Sequence, residues 1–210
     1  CDDVRIKNIP GVVAQDVQVE VLGTNLSSSG PLLFTHWGFS APSILKLSAY
    51  GALELAALKY KFNIQINFIN QTSQQALNQL KTFKHELGKK TILKFAQFEL
   101  PKRLWKALVL HAEIGELVTW ADVNKAALEA LAQQLTSAVF QINGKSTFKE
   151  EFVTAGGIDL KEVNFKTFES KQHKNLYFAG EILNIDAVTG GFNFQNAWTS
   201  GFIIAKQLGE

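Results

Sequence analysis

A single cysteine, Cys1, and no methionine stand among the 210 residues. One thiol excludes an internal disulfide framework and any cysteine-based zinc site within the chain. No apolar run approaches the roughly 20 residues that span a bilayer, and no signal peptide opens the sequence. A reducing cytoplasm is the expected setting, with no membrane partner. Charge of one sign is also lacking. Lys and Arg number 21 and Asp and Glu 19, a net charge of +2. Only Lys89-Lys90 and Lys102-Arg103 are adjacent basic pairs, so a nucleic-acid partner is not expected. Lys89-Lys90 and Glu150-Glu151 read as solvated faces.

What is present is enough for a packed core: 46% hydrophobic residues against 19% charged, a balance that argues against disorder. Residues 4–68 read mostly as strands. Val17, Val19 and Val21 alternate with Gln18 and Glu20, and Phe62, Ile64, Ile66 and Phe68 alternate with Asn63, Gln65 and Asn67. A short strand is expected over 32–35, and a helix over 40–58 with Ser40 as N-cap and Pro42 in its first turn. Residues 71–136 read as helical, packing as a small cap. Thr72 or Ser73 caps the first helix, Gly88 ends it, and Pro101 opens the second, with Leu104, Leu108 and His111 at helical spacing. The third helix covers 122–135, with Leu128, Leu131 and Leu135 on one stripe. Strands return at 139–142 and 145–152 around the Asn143-Gly144 hairpin signal. A buried strand at 176–179 then leads through a glycine-rich loop into a helix from about Asn196 to Leu208.

That last segment carries the chemistry. Glycines let a backbone approach a flat ligand without a Cβ in the way. A helix N-terminus offers unpaired N–H groups and a partial positive charge, which suits the anionic edge of a reduced flavin. A carboxylate just after a strand can accept from a ribose-type hydroxyl. Spacing alone leaves this equally a strand–loop–helix that binds nothing.

Three stretches resemble one family: "GPLLFTHWGFSAPSILKLS" (30–48), "VTAGGIDLKEVNFKTFESK" (153–171) and "LYFAGEILNIDAVTGGFNFQNAWTSG" (176–201). Together they are similar to FAD-dependent flavoproteins of the aminoacetone-oxidase and bile-acid dehydro-reductase type. The resemblance implies an α+β fold. A β-barrel-like domain (residues 1–70 and 137–172) is interrupted by an all-helical subdomain (71–136). The C-terminal strand and helix of a Rossmann-type FAD domain follow (173–210). It implies that Gly180 and Glu181 lie along the ribityl chain of FAD. It places Gly190, Gly191, Phe192 and Asn193 beside the isoalloxazine ring, with Gln195 opening the helix. It also implies a small organic substrate and a nicotinamide, NAD(P)H, as electron donor. Three positions depart from the family pattern: Ala41 replaces Gly, Phe168 replaces Met and Asn184 replaces Asp.

No G-x-G-x-x-G follows a strand anywhere, so the pyrophosphate fingerprint is missing. The expectation is a fragment, inactive alone and holding FAD weakly, whose partner is an N-terminal FAD-binding half. Other readings remain open. Gly38-Phe39-Ser40-Ala41-Pro42 is close to the G-x-S-x-G nucleophile elbow, with Asp159 and His173 downstream in hydrolase order. Against it, Ser40 is explained as an N-cap. His36 is a candidate acid–base residue near a flavin, set against a partly buried structural histidine. His85, His111 and His173 have no metal-ligand spacing. Residues 4–152 alone would serve as a non-catalytic binding or assembly module, including a homo-oligomer interface.

Overall fold

The computed structural model describes residues 1–145 and 153–209. The chain forms two compact units. The first comprises Cys1–Leu47 and Leu55–Ser146, the second Ser48–Glu54 and Thr147–Glu210.

The first unit opens with a short helix, α1 (Val4–Lys7), capped by the Asp3 carboxylate. Strands β1 (Val13–Val21), β2 (Ser27–Phe34), β3 (Phe39–Ser40), β4 (Lys61–Asn67) and β5 (Ala138–Asn143) form one open antiparallel sheet. Among the described residues its order is β3-β2-β1-β4-β5, half of a barrel. Val17, Val19 and Val21 of β1 are fully buried, as are Leu32, Phe34 and Ile66 on neighbouring strands. Such a side chain contributes roughly 1.5–3 kcal/mol on leaving water. Ala14 also points inward, three residues before Val17 rather than two. A register shift between them accommodates the exposed Gln15 and Asp16, as a β-bulge does.

The predicted helix over 40–58 is two helices, α2 (Pro42–Tyr50) and α3 (Ala52–Ala57), interrupted at Gly51. Ser40 is not its cap. It lies in β3 opposite Leu33, and Ala41 intervenes before Pro42. Between β4 and β5 run α4 (Ser73–Glu86), α5 (Lys102–His111) and α6 (Lys125–Thr136), the inserted helical block that the sequence predicted. Thr72 caps α4 through a full capping box with Gln75, satisfying two otherwise unpaired donors. The helix expected from 122 starts at Lys125, capped by Asn124. Asp122 accepts the Thr119 hydroxyl before it. The three helices share one continuous core with the sheet rather than forming a separate cap. Leu104, Leu108, Leu128, Leu131 and Leu135 all enter it, and Trp105 and Trp120 stack at 6.5 Å inside it. Trp105 donates its indole N–H to the Ile92 carbonyl at 3.0 Å, which satisfies the one polar atom it buries. The predicted strand partner of β5 lies, from residue 146 to 152, outside the described residues.

The second unit holds β6 (Val163–Asn164), β7 (Glu169–Ser170) and one long helix, α7 (Phe192–Gly209). Val163, Phe168 and Leu183 form its small core, with Ile203 and Ile204 of α7 against it. The class is α+β throughout, as expected.

Candidate functional site

The segment expected to be a buried strand, 176–179, is not a strand among the described residues. Its single ladder contact is a bridge between Tyr177 and Glu169, and Leu176 is 43% exposed. A strand needs a neighbour along its length, and the two-residue β7 offers too short a one. The helix expected near Asn196 starts four residues earlier, at Phe192. Gly190 and Gly191 therefore abut the helix directly, and its first recorded bond runs from the Gln195 N–H to the Gly191 carbonyl. The N–H groups of Phe192, Asn193 and Phe194 belong to the first turn, which has no intrahelical acceptor for them.

Gly191 has φ +90 and Gly180 φ +72, a region costly for any residue with a Cβ. At Gly190 a Cβ would sit 3.3 Å from the Phe192 ring. Three side chains of α7 fix this corner. Ser200, fully buried, accepts the Gly180 N–H at 3.0 Å and donates to the Asn196 carbonyl at 2.7 Å. Asn196 donates to the Gly180 carbonyl at 3.4 Å. Asn193 holds Ala187 from both sides, accepting its N–H at 2.9 Å and donating to its carbonyl at 3.0 Å. Gln195 bonds Thr199 on the helix surface at 3.0 Å. Glu181 is exposed in a 3-10 turn at Gly180–Ile182, and its carboxylate has no partner among the described residues.

The structure thus places Gly190, Gly191, Phe192 and Asn193 at the start of α7, and Gly180 against its second and third turns at Asn196, Ala197 and Ser200. Ser200 and Ala187 were not singled out in the sequence. The signal for Ser200 was a serine amid the apolar run "WTSGFII", four residues after Asn196. Gly157 is equally constrained: a Cβ there would lie 2.6 Å from the Ile182 carbonyl oxygen. That close approach carries the pair of bonds by which Ile158 and the 182–184 segment join.

The local geometry of the rival constellations departs from what each chemistry needs. Ala41, not Ser40, has the left-handed φ of +83, whereas an elbow strains the nucleophile itself. Asp159 accepts from the Lys161 N–H to cap its own turn, and His173 is exposed. His36 is exposed beside Trp37 rather than partly buried. Among the described residues no cluster of metal-ligating side chains occurs, and no helix is long and apolar enough to cross a membrane.

Comparison with known proteins agrees with this architecture. The chain is 33% identical over 178 residues to the ribosomal RNA dihydrouridine synthase of Haemophilus influenzae, covering 84% of this chain and 42% of that one. It is 32% identical over 206 residues to the protein of the same name in Escherichia coli (strain K12), covering 97% and 48%. It is 25% identical over 216 residues to the 3-dehydro-bile acid delta(4,6)-reductase of Clostridium scindens, covering 98% and 52%. The chain spans about half the length of the curated relatives it matches. Residues 2–153 match the family model described as "HI0933-like protein barrel and H2TH domain", and the chain belongs to that family.

Proposed function

We propose that this chain forms part of a flavin-dependent reductase that saturates a carbon–carbon double bond conjugated to a carbonyl group. The start of α7 is the observation that carries the reading. It combines glycine backbone at Gly190 and Gly191, first-turn N–H donors and the exposed rings of Phe192 and Phe194. Those features suit a flat, partly apolar ring that becomes anionic on reduction. FAD fits this donor set, and when bound it would supply the hydride. Phe192, Asn193 and Phe194 would present backbone N–H groups to its anionic edge, and Glu181 would accept from its polyol. Ser200, Asn196 and Asn193 hold the two loops that carry those groups.

The names of the relatives share one chemistry. Dihydrouridine differs from uridine by two hydrogens across a double bond conjugated to a ring carbonyl. A delta(4,6)-reductase acting on a 3-dehydro bile acid likewise removes double bonds conjugated to a ketone. Both are hydride additions to an electron-poor alkene, with a nicotinamide nucleotide as the proposed source of electrons. The higher identities favour a uridine in RNA as the substrate over a small organic molecule. Along α7, Phe194, Trp198 and Phe202 form an exposed stripe at four-residue spacing, Trp198 and Phe202 being 70% and 71% exposed. We assign that stripe to contact with the dinucleotide-binding half of the flavoprotein, which would also hold the pyrophosphate.

The test uses the complete protein. Flavin absorbance is measured with and without Gly191→Val, and nucleoside digests of ribosomal RNA are weighed after incubation with a reduced nicotinamide. Bound flavin lost in the variant, and one uridine heavier by two hydrogens with the native protein, are the expected results. A complete protein free of flavin ends the proposal.

A further inference from the structure

The net charge of +2 conceals a concentration. Residues 81–106 contain seven lysines and one arginine against two glutamates, while the remaining residues hold 13 basic and 17 acidic side chains. This stretch runs from the second half of α4 into α5. Three of its cations are occupied by the fold. Lys84 donates to the carbonyls of Ala121 and Val123, Arg103 to those of Asn8 and Pro10, and Lys106 pairs with Glu116 at 2.8 Å.

Lys89, Lys90 and Lys94 are arranged differently. All three are exposed, and among the described residues none pairs with a carboxylate. The ammonium groups of Lys90 and Lys94 stand 5.3 and 5.8 Å from the centroid of the Phe95 ring, which is 48% exposed. The backbone beneath is firmly held. Lys90 accepts the Trp120 N–H at 3.0 Å, Ile92 donates to Val118 at 3.1 Å, and Ile92 is fully buried against the tryptophan core. A half-exposed aromatic ring with two ammonium groups over it, and no carboxylate partner for them among the described residues, on a rigid mount is more than a solvated lysine face needs.

We infer that this surface docks single-stranded RNA, one unpaired base stacking on Phe95 while Lys89, Lys90 and Lys94 take the neighbouring phosphates. Aromatic side chains stack unpaired bases whatever their sequence, and lysines on a tracked backbone supply the salt-dependent part of the affinity. An anionic membrane is the poorer partner. Membrane-surface elements pair their lysines with a broad apolar face, and Phe95 is the one exposed large apolar side chain between residues 81 and 106. Choosing RNA over DNA rests on the proposed function, in which the reduced base belongs to RNA. The docking surface would position the substrate strand and takes no part in the chemistry.

The experiment is fluorescence anisotropy of a labelled single-stranded oligouridylate with the 210-residue chain across a salt series. Binding should weaken with salt at a log–log slope of roughly −2, at about 0.7 per phosphate neutralised. Phe95→Ala should weaken binding about tenfold, and Phe95→Tyr should retain it. The triple Lys→Gln variant at 89, 90 and 94 should flatten the salt slope. All these side chains are exposed, and matching thermal transitions of the variants confirm that they fold. The inference is overturned by absent binding or by affinity indifferent to both sets of variants. Preference for phosphatidylglycerol vesicles over RNA overturns it as well. In the complete protein, bound-flavin absorbance reads the other proposal separately. Flavin without RNA binding removes only the docking surface; RNA binding without flavin removes only the reductase.

Discussion

The guanidinium carbon of Arg5 lies 3.7 Å from the centroid of the Phe140 ring, so a residue of α1 packs on a strand 135 positions later in the chain. Asp3 holds the same guanidinium through two hydrogen bonds, at 2.9 and 2.6 Å. Gln134 of α6 accepts from it at 2.8 Å, and the Val139 carbonyl of β5 accepts as well. Arg5 is only 5% exposed. A charge so placed is tolerable because nearly every donor is matched, and removing a partner leaves it uncompensated. Asp3→Asn is expected to destabilise the chain by roughly 3 kcal/mol, measured by denaturant titration. Arg5→Lys should also destabilise it, because one ammonium cannot reproduce the planar fork. Transitions that coincide with the native chain's would show that this network contributes nothing.

The same cluster sets an acid limit. Burial disfavours the Asp3 carboxylate, but the hydrogen bonds from Arg5 outweigh it and hold its pKa below the ordinary aspartate value. Nearby, burial and the Arg5 charge together hold His111 below the ordinary histidine value, against the opposing pull of Asp3 and Glu113. Both native pKa values lie under their unfolded ones. Each group therefore stabilises fully above its unfolded pKa and loses that contribution as pH falls through its native one. Stability is expected to decline first below the usual histidine range and again below the usual aspartate range. His111→Gln should remove the first step and Asp3→Asn the second. Melting temperatures recorded against pH decide this, and an unchanged pH profile in both variants refutes it.

Ala41 has φ +83 between β3 and α2, at the position where the resembling flavoproteins carry glycine. A Cβ in that region costs about 1–2 kcal/mol, and glycine returns part of the gain as unfolded-state entropy. Ala41→Gly is expected to stabilise the chain by about 0.5–1 kcal/mol. Gly157→Ala should do the opposite, by about 3 kcal/mol, since its Cβ would meet the Ile182 carbonyl at 2.6 Å. Thermal denaturation of the pair, with Ala41→Gly failing to raise the transition, would contradict the strain at Ala41.

Local patterns made much of this fold legible. The alternation around Val17–Val21 and Ile64–Ile66 marks strands because one face must enter the core. Thr72-x-x-Gln75 marks a helix start because it satisfies two donors at once. The Ser-rich first half of β2, Ser27–Gly30, was not legible. It gains its strand from pairing with β1, where Ser28 faces Val19 and Gly30 faces Val17, and no local periodicity announces that. The start of α7 was misplaced for a related reason. Phe192, Asn193 and Phe194 look like loop residues after two glycines, and the helix there is fixed by the Asn193–Ala187 clamp and by Gln195 bonding back to Gly191. Lys89-Lys90 is visible as an adjacent basic pair and reads as a solvated face, because nothing in the sequence places the Phe95 ring beneath Lys90 and Lys94.

Ser200 links stability to the candidate flavin site. Its hydroxyl receives the Gly180 N–H and donates into α7, and it is fully buried. Replacing it with alanine leaves that amide without its acceptor, a loss of about 1–3 kcal/mol. It also frees the turn that carries Glu181. In the complete protein of the proposed function, Ser200→Ala is expected to lower flavin retention on dilution, whereas Ser200→Thr, which keeps the hydroxyl, should restore it. Lys206→Ala, an exposed side chain in the last turn of α7, should leave retention unchanged. Flavin fluorescence released on dilution separates the cases. Equal release from all three variants would mean that the Gly180 corner is scaffold and the cofactor lies elsewhere.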